Sequence, residues 1–191
     1  MIAVIDYGAG NVFNVLKACR YLGREAELTA DPQKISQADV VLFPGVGAFG
    51  AAMTRLKETG LDQVIKSTVA NGTPFLGICL GMQLLFDSST EFGSAAGLGL
   101  IPGQVVRIPD DDGQRIVPQV GWNQNELQQP ESIFKSIDRQ YTYFVHSYYM
   151  PSVLRNMSYQ RLTMAWPCRQ SFKKTTFMVS SFTLKKAVKS G

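Results

Sequence analysis

The segment Gly77-Ile78-Cys79-Leu80-Gly81-Met82-Gln83 puts a thiol directly after the apolar run Pro74 to Ile78, where a strand would turn into a helix. A side chain on such a turn stands at the carboxyl edge of a sheet, where α/β proteins place their sites, with its sulfur toward the first amides of the next helix. Helix dipole and free N–H groups favour thiolate, so this reading predicts a thiol pKa lowered from about 8.5 to roughly 3.5 to 7.5. Gly77 and Gly81 suit a turn with little side-chain room, the logic of the G-x-S-x-G elbow with sulfur replacing oxygen. The chemistry is nucleophilic catalysis; a buried inert cysteine is the competing reading. Such a nucleophile needs a base, and the chain has one histidine, His146. It reads as a strand-end histidine with a structural hydrogen bond rather than a replacement base. Pro44-Gly45-Val46-Gly47 closes another apolar run, and its N–H groups could face an oxyanion formed at Cys79. Alone, such a loop is more often a plain turn or a phosphate loop.

The elements that must hold these groups alternate in type. Met1 to Asp6 reads as a strand, followed by the loop Tyr7-Gly8-Ala9-Gly10-Asn11 and a helix over Val12 to Leu22. A strand over Glu25 to Thr29 follows, then a helix start at Asp31-Pro32 and a strand over Val40 to Phe43. A helical stretch from about Phe49 to Val69 breaks at Gly60, and the helix after Cys79 is expected to continue to about Phe86. Alternation of this kind implies right-handed crossovers and a mainly parallel sheet covered on both faces. From Gly97 to Ile108 and from Arg115 to Val120 shorter strand-like pieces suggest a hairpin-rich insert, and Tyr141 to His146 is a further strand candidate.

The 191 residues suit one domain of ordinary size, and a mean hydropathy of −0.02 places it among globular proteins. No basic-then-apolar leader and no apolar run of membrane-spanning length is present, so a cytoplasmic protein without a membrane role is expected. Cys19, Cys79 and Cys168 are odd in number and unpaired in spacing, which argues against a disulfide framework and a metal site. Charge is divided sharply. Residues 1–150 hold all 15 acidic groups against 11 Lys and Arg, a balance of −4, while residues 151–191 hold 8 Lys and Arg and no acid, a balance of +8. The basic charges are scattered without a helical stripe, so no nucleic-acid partner is expected.

Taken in order, Asp6 to Asn11, Phe43 to Phe49, Gly77 to Gln83, Gly121-Trp122-Asn123 and Tyr143 to Tyr148 resemble class I glutamine amidotransferases. Among these they look most like the glutaminase subunits of imidazole glycerol phosphate synthase in histidine biosynthesis, colinearly from residue 1 to about 150. The resemblance implies a three-layer αβα, flavodoxin-like fold and a cofactor-free reaction in which Cys79 attacks the side-chain amide of glutamine and releases ammonia. It implies oxyanion roles for Gly45, Val46 and Leu80, and glutamine contacts for Gln83, Ser147 and Tyr148. Trp122, Asn123 and Tyr143 would face a cyclase of (β/α)8-barrel form, which takes up the ammonia and makes imidazole glycerol phosphate and AICAR. Gln119 departs from the pattern, standing where a histidine is expected before Gly121-Trp122-Asn123.

The family's base and orienting carboxylate belong to a C-terminal F-H-P-E-K segment, and this chain has none. Codons permitted for Phe177 to Ala187, read one nucleotide earlier, allow FYGVQFHPEKS, and those for Met157 to Trp166 allow YVLSTTDYGMA, another family segment. Two long runs in one shifted frame and in family order imply a frameshift between about Met150 and Met157. The expectation is an incomplete amidotransferase domain over 1–150 and an aberrant basic tail over 151–191, with the C-terminal strands lost or altered. Activity of the chain as it stands is then doubtful. Two alternatives stay open: a catalytically silent protein that docks on the cyclase, and another cysteine hydrolase or binding module of similar fold.

Overall fold

A computed structural model describes residues 1–110, 112–113, 116–125 and 135–151, together with the backbone of 164–167 and 176–180. Most of the tail, Cys168 included, lies outside the described residues, as does Arg115.

Six strands build the main sheet: β1 (Ile2–Ile5), β2 (Ala26–Thr29), β3 (Val40–Gly45), β4 (Phe75–Cys79), β11 (Met164–Pro167) and β12 (Thr176–Ser180), in the order β11-β12-β4-β3-β1-β2. All neighbours are parallel except β11 with β12. The helices between them are α1 (Val12–Tyr21), α2 (Pro32–Ser36), α3 (Phe49–Glu58) and α4 (Leu61–Ala70). Passing from β1 to β2 moves one way across the sheet, while β2 to β3 and β3 to β4 move the other way. With right-handed crossovers α1 therefore covers one face and α2 to α4 the other, which gives three layers. Contacts of α4 with α2 and with α3 agree.

Local signals act where they were read. Asp31 caps α2 by accepting from the Gln33 N–H at 2.8 Å, with Pro32 at the first turn. Gly60 separates α3 from α4 with φ +71°. The expected helix after Cys79 is much shorter than predicted: α5 spans only Leu80–Gln83, and the chain turns directly into β5 (Phe86–Ser89). Leu84, Leu85 and Phe86 are completely buried, so the run has no polar face to sustain an amphipathic helix.

The rest of the chain forms two smaller sheets. β5 joins β6 (Ala95–Ala96), β7 (Ile101–Arg107) and β10 (Tyr148–Tyr149), while β8 (Gln119–Gln124) and β9 (Tyr141–His146) make an antiparallel ribbon of their own. As for the tail, two segments hold strand positions at the sheet edge, β12 pairing in parallel with β4 and β11 outermost. Pro167 is tolerated there because an edge strand leaves one side of its backbone unpaired.

Burial of the main sheet is lopsided. Val41, Phe43 and Phe75 are sealed against the α2 to α4 layer, with Phe43 and Phe75 in edge contact at 5.8 Å, whereas Leu42, Leu76 and Ile78 on the α1 side are only half-buried.

Candidate active site

The sheet order reverses between β1 and β3, the kind of switch point beside which open α/β sheets hold their ligands. The loop from Asp6 to Asn11 leaves β1 there, Gly45 to Ala48 leaves β3, and β4 ends alongside at Cys79.

Cys79 has φ 55° and ψ −119°, a strained conformation for a residue with a side chain. The packing that enforces it is visible at both glycines. A β-carbon on Gly77 would lie 2.6 Å from Met82 Cα, and one on Gly81 would overlap the Phe43 carbonyl. Gly45 pairs with Cys79 across the ladder, and a β-carbon there would strike the Tyr7 hydroxyl and the Gly81 amide. Three glycines thus let β3, β4 and α5 meet backbone to backbone. These contacts explain the elbow.

The thiol departs from its expected acidity. Burial pushes the Cys79 pKa up from the ordinary value, and the Leu80 N–H bonded to its sulfur offsets this only in part. The lowered pKa expected from a helix N-terminus fails because burial opposes the charge on a half-buried sulfur and α5 is a single turn with little summed dipole. A base is accordingly more necessary here than at an exposed elbow.

His146 does not supply it in this structure. It lies on β9, opposite Gln119, with Nδ1 2.9 Å from the Tyr148 carbonyl and its ring 5.9 Å from Phe144. Burial holds its pKa down, so the ring is neutral, donating from Nδ1 and leaving Nε2 without a partner among the described residues.

Beside Cys79 lies a largely apolar cavity of about 400 Å³, bounded by α1 on one side and by Leu42, Pro44, Gly45, Val46, Leu76 and Ile78 on the other. Of the residues expected at the site, Cys79, Gly45 and Val46 line it. Leu80 meets Cys79 through its amide, and Gln83 is buried in the same turn. Ser147 and Tyr148 lie outside the lining: the Ser147 carbonyl accepts from the Ile108 N–H at 2.8 Å, and Tyr148 pairs with Arg107.

Two participants carried no signal strong enough to be assigned a role. Glu91 reaches back from the loop after β5 to accept the Phe49 N–H at 2.7 Å, so the first turn of α3, directly after the Gly45 to Ala48 loop, is held by a remote carboxylate. Tyr7 closes the space over Gly45.

On the β8–β9 ribbon one face presents Val120, Trp122, Tyr141, Tyr143 and Val145. Trp122 is 61% exposed and meets Tyr143 edge-on at 5.6 Å. Asn123 accepts from the Gln119 side chain at 3.2 Å, which orders the ribbon at the position of the departure noted above.

A strained cysteine elbow at the edge of a parallel αβα sheet defines this chain's class: it belongs to the class I glutamine amidotransferases, whose family model, described as "Glutamine amidotransferase class-I", matches residues 3–165. Among curated proteins it is 57% identical over 149 residues to imidazole glycerol phosphate synthase subunit HisH of Lactiplantibacillus plantarum, covering 78% of this chain and 71% of that one. HisH of Listeria monocytogenes is 46% identical over the same length and the same shares of both chains. In fold, the chain resembles a solved glutamine amidotransferase with a TM-score of 0.64 at 15% identity, covering 93% of this chain and 88% of that one. The likeness in fold reaches further along the chain than the likeness in sequence.

Proposed function

We propose that this chain is the glutaminase subunit of an imidazole glycerol phosphate synthase whose nucleophile is built and whose proton acceptor is missing. The observation that carries the reading is Cys79 at φ 55°, locked by Gly45, Gly77 and Gly81, in a chain 57% identical to a HisH subunit. The Cys79 thiolate attacks the δ-carbon of glutamine, the C–N bond breaks, and the nitrogen takes up the proton the thiol had passed to its acceptor and leaves as ammonia. Water then hydrolyses the thioester to glutamate. Backbone N–H groups of the Gly45 to Ala48 loop and of Leu80 hold the oxyanion, and Gln83, Ser147 and Tyr148 hold the α-amino acid end of the substrate.

The apolar face of the β8–β9 ribbon, which carries Trp122 and Tyr143 with Asn123 next to them on the other face, suits docking on a (β/α)8-barrel cyclase, since an exposed patch of this kind marks an interaction surface. The protein acts in the cytoplasm. Among the described residues no helix is long and apolar enough to cross a membrane.

Among the described residues nothing is placed to take the thiol proton: the chain's one histidine is bonded to Tyr148 on another sheet. The shifted reading of Phe177 to Ala187 would put histidine at position 183 and glutamate at 185, where Thr183 and Lys185 stand. Ser180 pairs with Ile78, so that motif would begin just past the strand beside the one bearing Cys79. A frameshift before Met157 therefore removes the base and its carboxylate together, and turnover falls by several orders of magnitude.

The test is glutamine hydrolysis with the cyclase present, for this chain and for one with the reading frame restored. Restored turnover that disappears with Cys79→Ala, against background rates for the unshifted chain, is the expected result. Cys79-dependent turnover in the chain as it stands would sink the loss of function. No turnover in either, together with tight cyclase binding, would favour the silent docking protein, for which the exposed ribbon speaks.

A further inference from the structure

Tyr7 is 2% exposed, and its hydroxyl has no hydrogen-bond partner among the described residues. A buried hydroxyl gives up its bonds to water, so an unpaired one needs a reason to be there. Its position is not accidental. The ring packs on Phe43 with centroids 5.4 Å apart, and the chain leaves β1 at the switch point, which carries the hydroxyl over the backbone of Gly45. Gly45 in turn stands opposite Cys79. The phenol and the thiol interact electrostatically, and a negative Cys79, added to burial, tightens the phenol's hold on its own proton.

A neutral thiol is a weak acceptor and a thiolate a strong one. We propose that Tyr7 is a positioning residue for the nucleophile: its phenolic O–H donates to the Cys79 sulfur once that sulfur has lost its proton, joining the Leu80 N–H already directed there. Among the described residues the hydroxyl is unpaired in the resting protein because the neutral thiol beside it is only a weak acceptor. The proposal rests on the proposed function only in taking Cys79 as the reacting atom. Other charged groups are few. β3, α5 and β12 contain no titratable residue, α1 contributes Cys19 to the same cavity, α3 brings the Arg55 guanidinium against Gly8, the Asp6 carboxylate accepts from the Gly8 amide at 3.0 Å, and Asp87 of β5 is engaged by the Gly103 amide at 2.8 Å.

Alkylation by iodoacetamide across pH, followed on the Cys79 peptide by mass spectrometry, tests this. Tyr7→Phe keeps the ring and its contact with Phe43. The expected result is about tenfold slower alkylation below the thiol's pKa, a profile displaced to higher pH, and an unchanged limiting rate at high pH. The Cys19 peptide in the same samples stays unmoved. A fluorotyrosine placed at position 7, a stronger donor, moves the profile the other way and decides the matter if Tyr7→Phe folds poorly. Profiles that superimpose on that of the unsubstituted chain overturn the proposal. Displacement of iodide forms no oxyanion and needs no glutamine. Failure of glutamine to protect Cys79 therefore counts against the proposed function, and not against Tyr7.

Discussion

Gly81 presses so closely on the Phe43 carbonyl that a β-carbon on it would overlap the oxygen. The elbow turn and the strand that leads into the Gly45 to Ala48 loop are therefore one rigid contact rather than two neighbouring loops. Gly81→Ala is expected to destabilise the chain by about 3 kcal/mol in urea unfolding, because backbone cannot yield as a side chain does. A loss below about 1 kcal/mol would show that the contact relaxes.

Alkaline pH should weaken the fold. Cys79, Cys19 and Tyr7 all have pKa values raised by burial, so the folded state holds these protons more tightly than the unfolded one. Their contribution is complete below the unfolded thiol pKa and is lost as pH rises through the folded values. The urea midpoint should fall between about pH 8 and pH 10, and Cys79→Ala should flatten part of that decline.

His146 predicts the opposite slope on the acid side. Its pKa is lowered by burial, so stability is full above the unfolded value and declines as pH falls through the folded one. Between about pH 7 and pH 5 the midpoint should drop, and His146→Gln should remove most of that drop. The same substitution should change Cys79 alkylation by less than about twofold; a larger loss, of the size removal of a general base produces, would make His146 a base after all.

Trp122→Ala should leave the urea midpoint nearly unchanged, since the indole is 61% exposed, and weaken cyclase binding about 30-fold or more, as removal of a central aromatic anchor does. Titration of the two purified subunits measures it. Unchanged affinity would move the interface off the β8–β9 ribbon.

Glu91→Ala should cost about 1 kcal/mol by leaving the Phe49 N–H and the start of α3 without their carboxylate. Glu91→Gln, which keeps an acceptor, should recover much of it. Hydrogen exchange at the Phe49 amide reports the same contact directly.

What could be read from residues alone depended on how local the physics was. The elbow, the Gly60 break and the Asp31 cap each rest on a few adjacent residues, and all three stand where expected. The helix after Cys79 was misread because Leu84 to Phe86 is apolar throughout, and a run without a polar face shows no period to separate one more helical turn from a buried strand. The acidity of Cys79 was misread for a related reason: the dipole of a following helix matters only if the helix is long, and burial depends on layers contributed from elsewhere in the chain. Tyr7 gave no warning, since a tyrosine between a strand and a glycine loop looks like turn surface until the approach of β3 is known.

The tail-derived partner of β4 is held by main-chain pairing, Phe177 to Ser180 against Phe75 to Ile78. A ladder of peptide groups does not consult side chains, so rewriting the tail's residues can leave the seat beside the nucleophile occupied while changing everything it presents. Cys79, its glycines, Tyr7 and Glu91 all come from the first half of the chain, and so the geometry of attack and the means of proton removal are separable inheritances.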